Sequence, residues 1–388
     1  MSDPLNQNGP PDAPASIRVL FLVGRLEPTA PCRAAVGLAY RLRKLGHAVE
    51  MVCRSGSLAH VHTRAGADRA VEYAPPVWIS RSLGRSLRSR LSLGTLVARA
   101  REMEPDLLHV HGAALAGVGA RLARRLRTPY VLAIDDFLDP GQSLPRSRRF
   151  LRKIIVASDA VRVDLVNRLA LPRELITVVP EGVDLADYPD RKPGLGTFAI
   201  PVVGTIGRLV ESKGQELFVR AAHLLAMRGR HAHFVIAGEG PDRKRVQNLV
   251  AELELIDRLT FARAPVDQLD VLKALDIFVM PALREALGLP VIEAMASGIP
   301  VIATSAGGIF SLIENKKTGV LVQKKDPDAL AREIENLLDR PDLAAQLARA
   351  AKERVAQQFT IETVAERISR VYDDVVGVAA EETTVTAS

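Results

Sequence analysis

The chain carries two sets of six short apolar runs, most of them closed by a turn and followed by a stretch of helical periodicity. In the first half the runs are 18–23, 48–52, 107–109, 130–134, 153–156 and 176–179; in the second they are 200–206, 233–237, 259–262, 277–280, 300–304 and 319–322. Runs this short and this continuously apolar suit parallel strands buried on both faces, because helices returning over the sheet cover each side. The alternation predicts two doubly wound α/β lobes, and 388 residues are enough for two cores. Ligands in such folds bind beyond the carboxyl ends of the strands, so the site is expected in a cleft between the lobes.

Chemistry concentrates in the second half, where seven residues separate Glu285 from Glu293. Between them, Gly288-Leu289-Pro290 reads as a turn opening a helix: proline suits the first helical position, and Gly298 suits the residue just past the end. Backbone N–H groups near Gly288 and Leu289 would then point outward from the positive end of a helix dipole, toward a phosphate or hydroxyl oxygen. Both carboxylates can face one ligand there and accept hydrogen bonds from sugar hydroxyls. Solvated surface charge is the alternative reading, but Glu293 lies inside an apolar run, where an unpaired charge is costly.

A phosphate-binding layout precedes this segment. Gly207-Arg208-Leu209 and Lys213-Gly214 follow the run 200–206 and lead into a helical pattern over 215–227. Arg208 offers forked donors and Lys213 a compact point charge, a combination that neutralises a diphosphate without a metal. Gly238-Glu239-Gly240-Pro241 and Gly307-Gly308 close two further strands in the same half.

These segments together resemble the retaining glycosyltransferases of family four, also called group one, from about Ile17 to Tyr372. The first half is similar as well, through Leu45-Gly46-His47, the stretch Pro105 to Gly112, and Val179-Pro180-Glu181-Gly182-Val183-Asp184. The resemblance implies the GT-B fold, two Rossmann-like lobes facing across a cleft with a C-terminal helix crossing back to the first. It also implies retention at the anomeric carbon, a nucleoside diphosphate sugar as donor (most commonly a uridine diphosphate sugar) and a glycan or lipid-linked acceptor. By the same resemblance Arg208 and Lys213 hold the diphosphate and Glu293 the ribose hydroxyls. Glu285, with the amides near Gly288 and Leu289, holds the transferred sugar, and Gly207 and Gly238 line the donor site.

Two departures fall in the first half. Thr29-Ala30 stands where the family usually has a glycine pair, and side chains there crowd a backbone approach to phosphate. Asp135 stands where members commonly carry a histidine facing the donor sugar; an ionised aspartate accepts a hydrogen bond but cannot donate one. Both favour an alternative in which a catalytically impaired member serves as a binding or scaffold subunit in a glycan assembly complex. An epimerase or hydrolase on a similar fold would need acid/base residues in the first lobe, which the sequence does not place.

The expected domains are a first lobe over 17–190, a donor lobe over 197–358 and a crossing helix over 359–378, with disordered tails at 1–16 and 379–388. A proline- and glycine-rich linker lies near 188–196. The net charge is +7, and arginines cluster over 80–101 and 146–153 among Leu83, Leu87, Leu91, Leu93, Leu144, Phe150 and Leu151. Basic segments with apolar teeth could dock on an anionic membrane surface. Nucleic acid is the rival partner, but aromatic residues make up only 4% of the chain, too few for stacking platforms, and no recognition motif occurs. Without a spanning run or signal pattern, a cytoplasmic location is expected. Two cysteines, Cys32 and Cys53, are too few for a disulfide framework. His109 and His111 read as strand-end residues rather than metal ligands, and no Asp-x-Asp pair accompanies the phosphate site. No cofactor and no metal are therefore expected.

Overall fold

Each half of the chain folds around a parallel six-stranded sheet. A computed structural model describes residues 16–24, 30–53, 87–188, 200–262 and 268–386. The first sheet contains β1 (Arg18–Leu22), β2 (Ala48–Val52), β3 (Leu107–His111), β4 (Tyr130–Ile134), β5 (Leu151–Val156) and β6 (Ile176–Val178), in the order β2-β1-β3-β4-β5-β6. Around it lie α1 (Ala30–Lys44), α2 (Leu87–Met103), α3 (Ala116–Leu126) and α4 (Asp159–Leu169). The second contains β7 (Val202–Ile206), β8 (His233–Ala237), β9 (Leu259–Ala262), β10 (Ile277–Met280), β11 (Val301–Thr304) and β12 (Val320–Val322), in the order β12-β11-β10-β7-β8-β9. Its helices are α5 (Gln215–Met227), α6 (Arg243–Glu252), α7 (Gln268–Lys273), α8 (Leu289–Ala296), α9 (Ile309–Leu312) and α10 (Pro327–Asp339). Then follow α11 (Pro341–Gln358) and α12 (Ile361–Thr386).

Strand order decides where a ligand can sit. Chain order reverses between β1 and β3 in the first sheet and between β7 and β10 in the second, and such switch points open a crevice at the strand carboxyl ends. The central strands β4 and β10 are buried throughout, as the apolar runs require when helices cover both faces.

The lobes share apolar packing. Ala286 of the second joins the core of the first, while Ala157, Val183 and Tyr188 pack into the core around α8. α12 leaves the second lobe and lies along α1, with Ile361, Val364, Ile368 and Tyr372 buried in the first-lobe core. It extends to Thr386, past the start of the tail expected at Ala379; Ala379-Ala380-Glu381-Glu382 are strong helix formers. α8 begins one residue before the expected start, so Pro290 is its second residue and Gly288, at φ 102, is the N-cap. Of the expected linker, Tyr188 is described and is buried; residues 189–196 lie outside the described residues.

Candidate active site

The loops leaving β7 and β10 build one wall of the crevice. Gly207 follows β7, its N–H donating to the Ala237 carbonyl at 3.0 Å. Gly238 comes so close from β8 that a Cβ there would stand 1.9 Å from the Gly207 carbonyl oxygen, so no other residue fits without parting these loops. Arg208 is exposed, and its carbonyl accepts from Gln215 Nε2 at 3.1 Å, which ties the loop to α5. Lys213 ends a short turn before Gly214, and its Nζ donates to both oxygens of Glu285, at 2.9 and 2.7 Å. The buried Glu285 thus has a cation beside it, the partner that a buried carboxylate requires.

Glu293 projects from α8, a helix buried nearly all round. Its Oε1 accepts from Arg33 Nη2 at 3.0 Å and from the Tyr188 hydroxyl at 3.1 Å. Burial, followed by the Glu293 charge, pushes the Tyr188 phenol well above its usual range, so it remains a donor. The backbone between the two glutamates is clasped by the first lobe. Arg284 reaches Asp164 at 3.2 Å and stacks 4.0 Å over Phe137, and the Ser158 hydroxyl donates to the Ala286 carbonyl.

Opposite stands a first-lobe cluster. His111, at the end of β3, places Nε2 3.1 Å from Asp135 Oδ2, just past β4. Burial alone would lower the His111 imidazole, but the Asp135 carboxylate outweighs it and holds the ring above its ordinary value. Burial likewise pushes Asp135 up, and His111 reverses this, leaving the carboxyl below its ordinary range. Glu181, after β6, is pushed up to about 8, first by burial and then by the Asp135 charge, with Glu285 and Glu293 adding to it and His111 opposing.

The sequence-predicted residues Arg208, Lys213, Glu285, Gly207, Gly238, Gly288, Leu289 and Glu293 all lie on the second-lobe wall, and Asp135 lies on the first. Arg33, Tyr188, His111 and Glu181 were not expected as site residues. His111 and Glu181 stand in segments the sequence singled out, but only side-chain packing shows that they point into the crevice. His109 is structural, as expected: buried, stacked on Phe21 at 4.2 Å and bonded to the Tyr372 hydroxyl at 2.6 Å. Its neighbour His111, expected to be equally bland, faces the cleft. Thr29 lies outside the described residues, and Ala30 opens α1.

Residues 33–187 match the model of Glycosyltransferase Family 4, and residues 200–354 that of the glycosyl transferases group 1. A 2-deoxystreptamine glucosyltransferase of Streptomyces kanamyceticus is 30% identical over 310 residues, covering 71% of this chain and 79% of that one. The chain belongs to the group 1 glycosyltransferases. This glycosyltransferase is also 32% identical over 258 residues, 60% of its own length and 66% of the other's, to a Mycolicibacterium smegmatis enzyme. That relative is a GDP-mannose-dependent alpha-(1-6)-phosphatidylinositol monomannoside mannosyltransferase. The structure of Anabaena Alr3699/HepE in complex with UDP-glucose superposes with a TM-score of 0.74 at 21% identity, over 92% of this chain and all of that one. The fold is GT-B.

One expectation changes with the side chains in view. Leu144 and Leu151, read as apolar teeth beside the second arginine cluster, are buried in the first-lobe core, while Arg146, Arg148 and Arg149 remain exposed. That face is cationic without apolar anchors at those two positions, because packing into the first-lobe core claims both leucines. Of the first cluster, residues 80–86 lie outside the described residues, and Arg99 is engaged by Glu102 and Glu50. Among the described residues no helix is long and apolar enough to cross a membrane.

Proposed function

We propose that this glycosyltransferase moves a sugar from a nucleoside diphosphate sugar, with uridine as the nucleoside, to a hydroxyl of a glycan or lipid-linked acceptor. Transfer proceeds with retention and without a metal ion. The observation that carries this reading is the Lys213–Glu285 pair, together with the exposed Arg208 on the same loop after β7. Cleaving the bond between the anomeric carbon and the diphosphate leaves negative charge on phosphate and positive character on the sugar. In this reading Arg208 and Lys213 stabilise the first, supplying charge that a divalent cation would otherwise carry. Glu285, relieved of part of its contact with Lys213, accepts hydrogen bonds from the sugar hydroxyls, and Glu293 accepts from the ribose. The acceptor hydroxyl attacks on the leaving group's own face, and its proton passes to a diphosphate oxygen.

Thermal stabilisation against a panel of nucleoside diphosphates and their sugars, run beside an Arg208→Ala, Lys213→Ala variant, tests this reading. Selective stabilisation by uridine diphosphate, lost in the variant, is the expected result. No shift with any nucleotide at millimolar concentration would sink it. Nucleotide binding with no transfer or slow hydrolysis of any donor would favour the scaffold alternative raised by Asp135.

A further inference from the structure

The carboxyls of the cleft are unequally partnered. Glu285 holds Lys213 at 2.7 Å, Glu293 holds Arg33 at 3.0 Å and Asp135 holds His111 at 3.1 Å. Glu181 lies within electrostatic reach of all three carboxylates and of His111, yet it forms no ion pair among the described residues, and its Oε1 is buried without a hydrogen bond. The second ring nitrogen of His111, Nδ1, is also buried without a hydrogen-bond partner. Two unsatisfied polar atoms, one on the carboxyl that follows β6 and one on the imidazole that ends β3, call for an explanation.

Loose backbone does not supply one. A Cβ on Gly182 would stand 2.7 Å from the Thr360 carbonyl oxygen, so this turn sits directly on the segment entering α12. Val183 donates to the Phe359 carbonyl at 3.0 Å and accepts from the Ile361 N–H at 2.9 Å; on the other side Val179 donates to the Val156 carbonyl at 2.9 Å. The chain around Glu181 is pinned from both directions, and its carboxyl is delivered to the cleft by that pinning.

A buried carboxyl facing other carboxylates is satisfied by a proton or by a cation. Each of the other three has a basic side chain of the protein beside it. We infer that Glu181 is a cation subsite on the acceptor side of the cleft, receiving an ammonium group of the acceptor, while His111 Nδ1 bonds a neighbouring hydroxyl. The acceptor class is thus an amine-bearing polyol. A phosphate-bearing acceptor would bring like charge against Glu181 and Asp135. This inference rests on the transferase reading and narrows its acceptor.

The experiment is isothermal titration of the full chain, saturated with uridine diphosphate, using three probes. These are 2-deoxystreptamine as the diamino cyclitol, myo-inositol as the neutral polyol and an inositol phosphate as the anion. The amine is expected to bind about tenfold or more tightly than inositol, since a partner for a buried charge is worth at least that factor. Inositol phosphate should bind weakest. Glu181→Gln should erase the preference while keeping the nucleotide affinity and melting temperature of the parent. Raising the pH from 6.5 to 8 should tighten amine binding in the parent, as Glu181 ionises among Asp135, His111, Glu285 and Glu293, and not in the variant. Equal binding of amine and polyol, no binding of the amine, or a preference that survives in Glu181→Gln would overturn the inference. If uridine diphosphate itself does not bind, the transferase reading fails and takes this one with it; normal nucleotide binding without amine preference removes only the acceptor assignment.

Discussion

Arg33 of the first lobe donates to Glu293 of the second at 3.0 Å, so the carboxylate proposed to take the ribose is already held from across the cleft. The pair is lopsided: Glu293 is 2% exposed, whereas the arginine side chain is 28% exposed. Removing the arginine takes a cation away from a buried charge, to which the Tyr188 hydroxyl still donates. Arg33→Ala should therefore destabilise the protein by about 1–3 kcal/mol, below the value for a fully buried pair because solvent already screens part of it. Denaturant unfolding followed by far-ultraviolet circular dichroism measures this; a change under a few tenths would show that the contact adds nothing.

Lys213 should separate chemistry from binding. Lys213→Ala leaves Glu285 without its cation and removes charge from the leaving group, so kcat should fall by about 100-fold or more. Lys213→Arg keeps the charge but changes its shape and is expected to recover only part of the rate. Steady-state kinetics on a donor identified by the nucleotide panel provides the check, and an unchanged kcat in Lys213→Ala would remove the residue from the mechanism.

His109 predicts an acid sensitivity. Burial, with a smaller push from His111, holds its imidazole down to about 3, against an ordinary value of 6.5. With the folded value depressed, the unfolded chain takes the proton first. The stability contributed by neutral His109 is thus complete above 6.5 and is lost as pH falls toward 3. The slope is about 1.4 kcal/mol per pH unit inside that window. His109→Gln should flatten this part of the stability–pH curve, and parallel curves for parent and variant between pH 6.5 and 4 would refute the assignment.

The His111–Asp135 pair invites a charge exchange. Asp135→His, the residue family members commonly carry there, would face one imidazole with another and remove the anion that holds the His111 ring above its ordinary value. Loss of stability near neutral pH is expected from that single change. The double exchange His111→Asp, Asp135→His restores an ion pair in reversed order and should recover much of the loss. A double-mutant cycle on melting temperature measures the coupling; purely additive effects would mean the two residues do not act as a pair.

Gly238→Ala should uncouple the donor-lobe loops, because its Cβ would collide with the Gly207 backbone rather than with a yielding side chain. The backbone there also sits at φ 143, which alanine adopts poorly. Weakened nucleotide binding together with lower stability is the expected outcome in a thermal-shift titration. A variant that binds nucleotide as the parent does would show the two loops to be independent.

The strands were legible because their constraint is local. Parallel strands covered on both faces must be apolar at nearly every position, so the runs ending at Val52, Ile134, Ile206 and Ala237 mark the strands ending at the same residues. The glycine turns that carry Arg208, Lys213 and Glu285 were legible for a similar reason, since short-range geometry and charge appear together in consecutive residues. Boundaries drifted by a residue where a cap rather than a hydrophobic step set the end, as at Gly288 before α8.

Other facts depend on distance in the sequence. Nothing local to Arg33 points to Glu293, nor anything near Ser158 to Ala286; those partners meet because two separate lobes pack against each other. The same packing decided that Leu144 belongs to the core rather than to a membrane-facing surface, that His111 looks into the cleft while His109 supports α12, and that Glu181 is the carboxyl without a cation. The sequence by itself determined two parallel sheets and the glycine turns that carry Arg208, Lys213 and Glu285, because period and turn chemistry act over a few residues. Only the tertiary structure decided how charges are shared across the cleft, because pairing and burial are properties of side chains brought together from far apart in the chain.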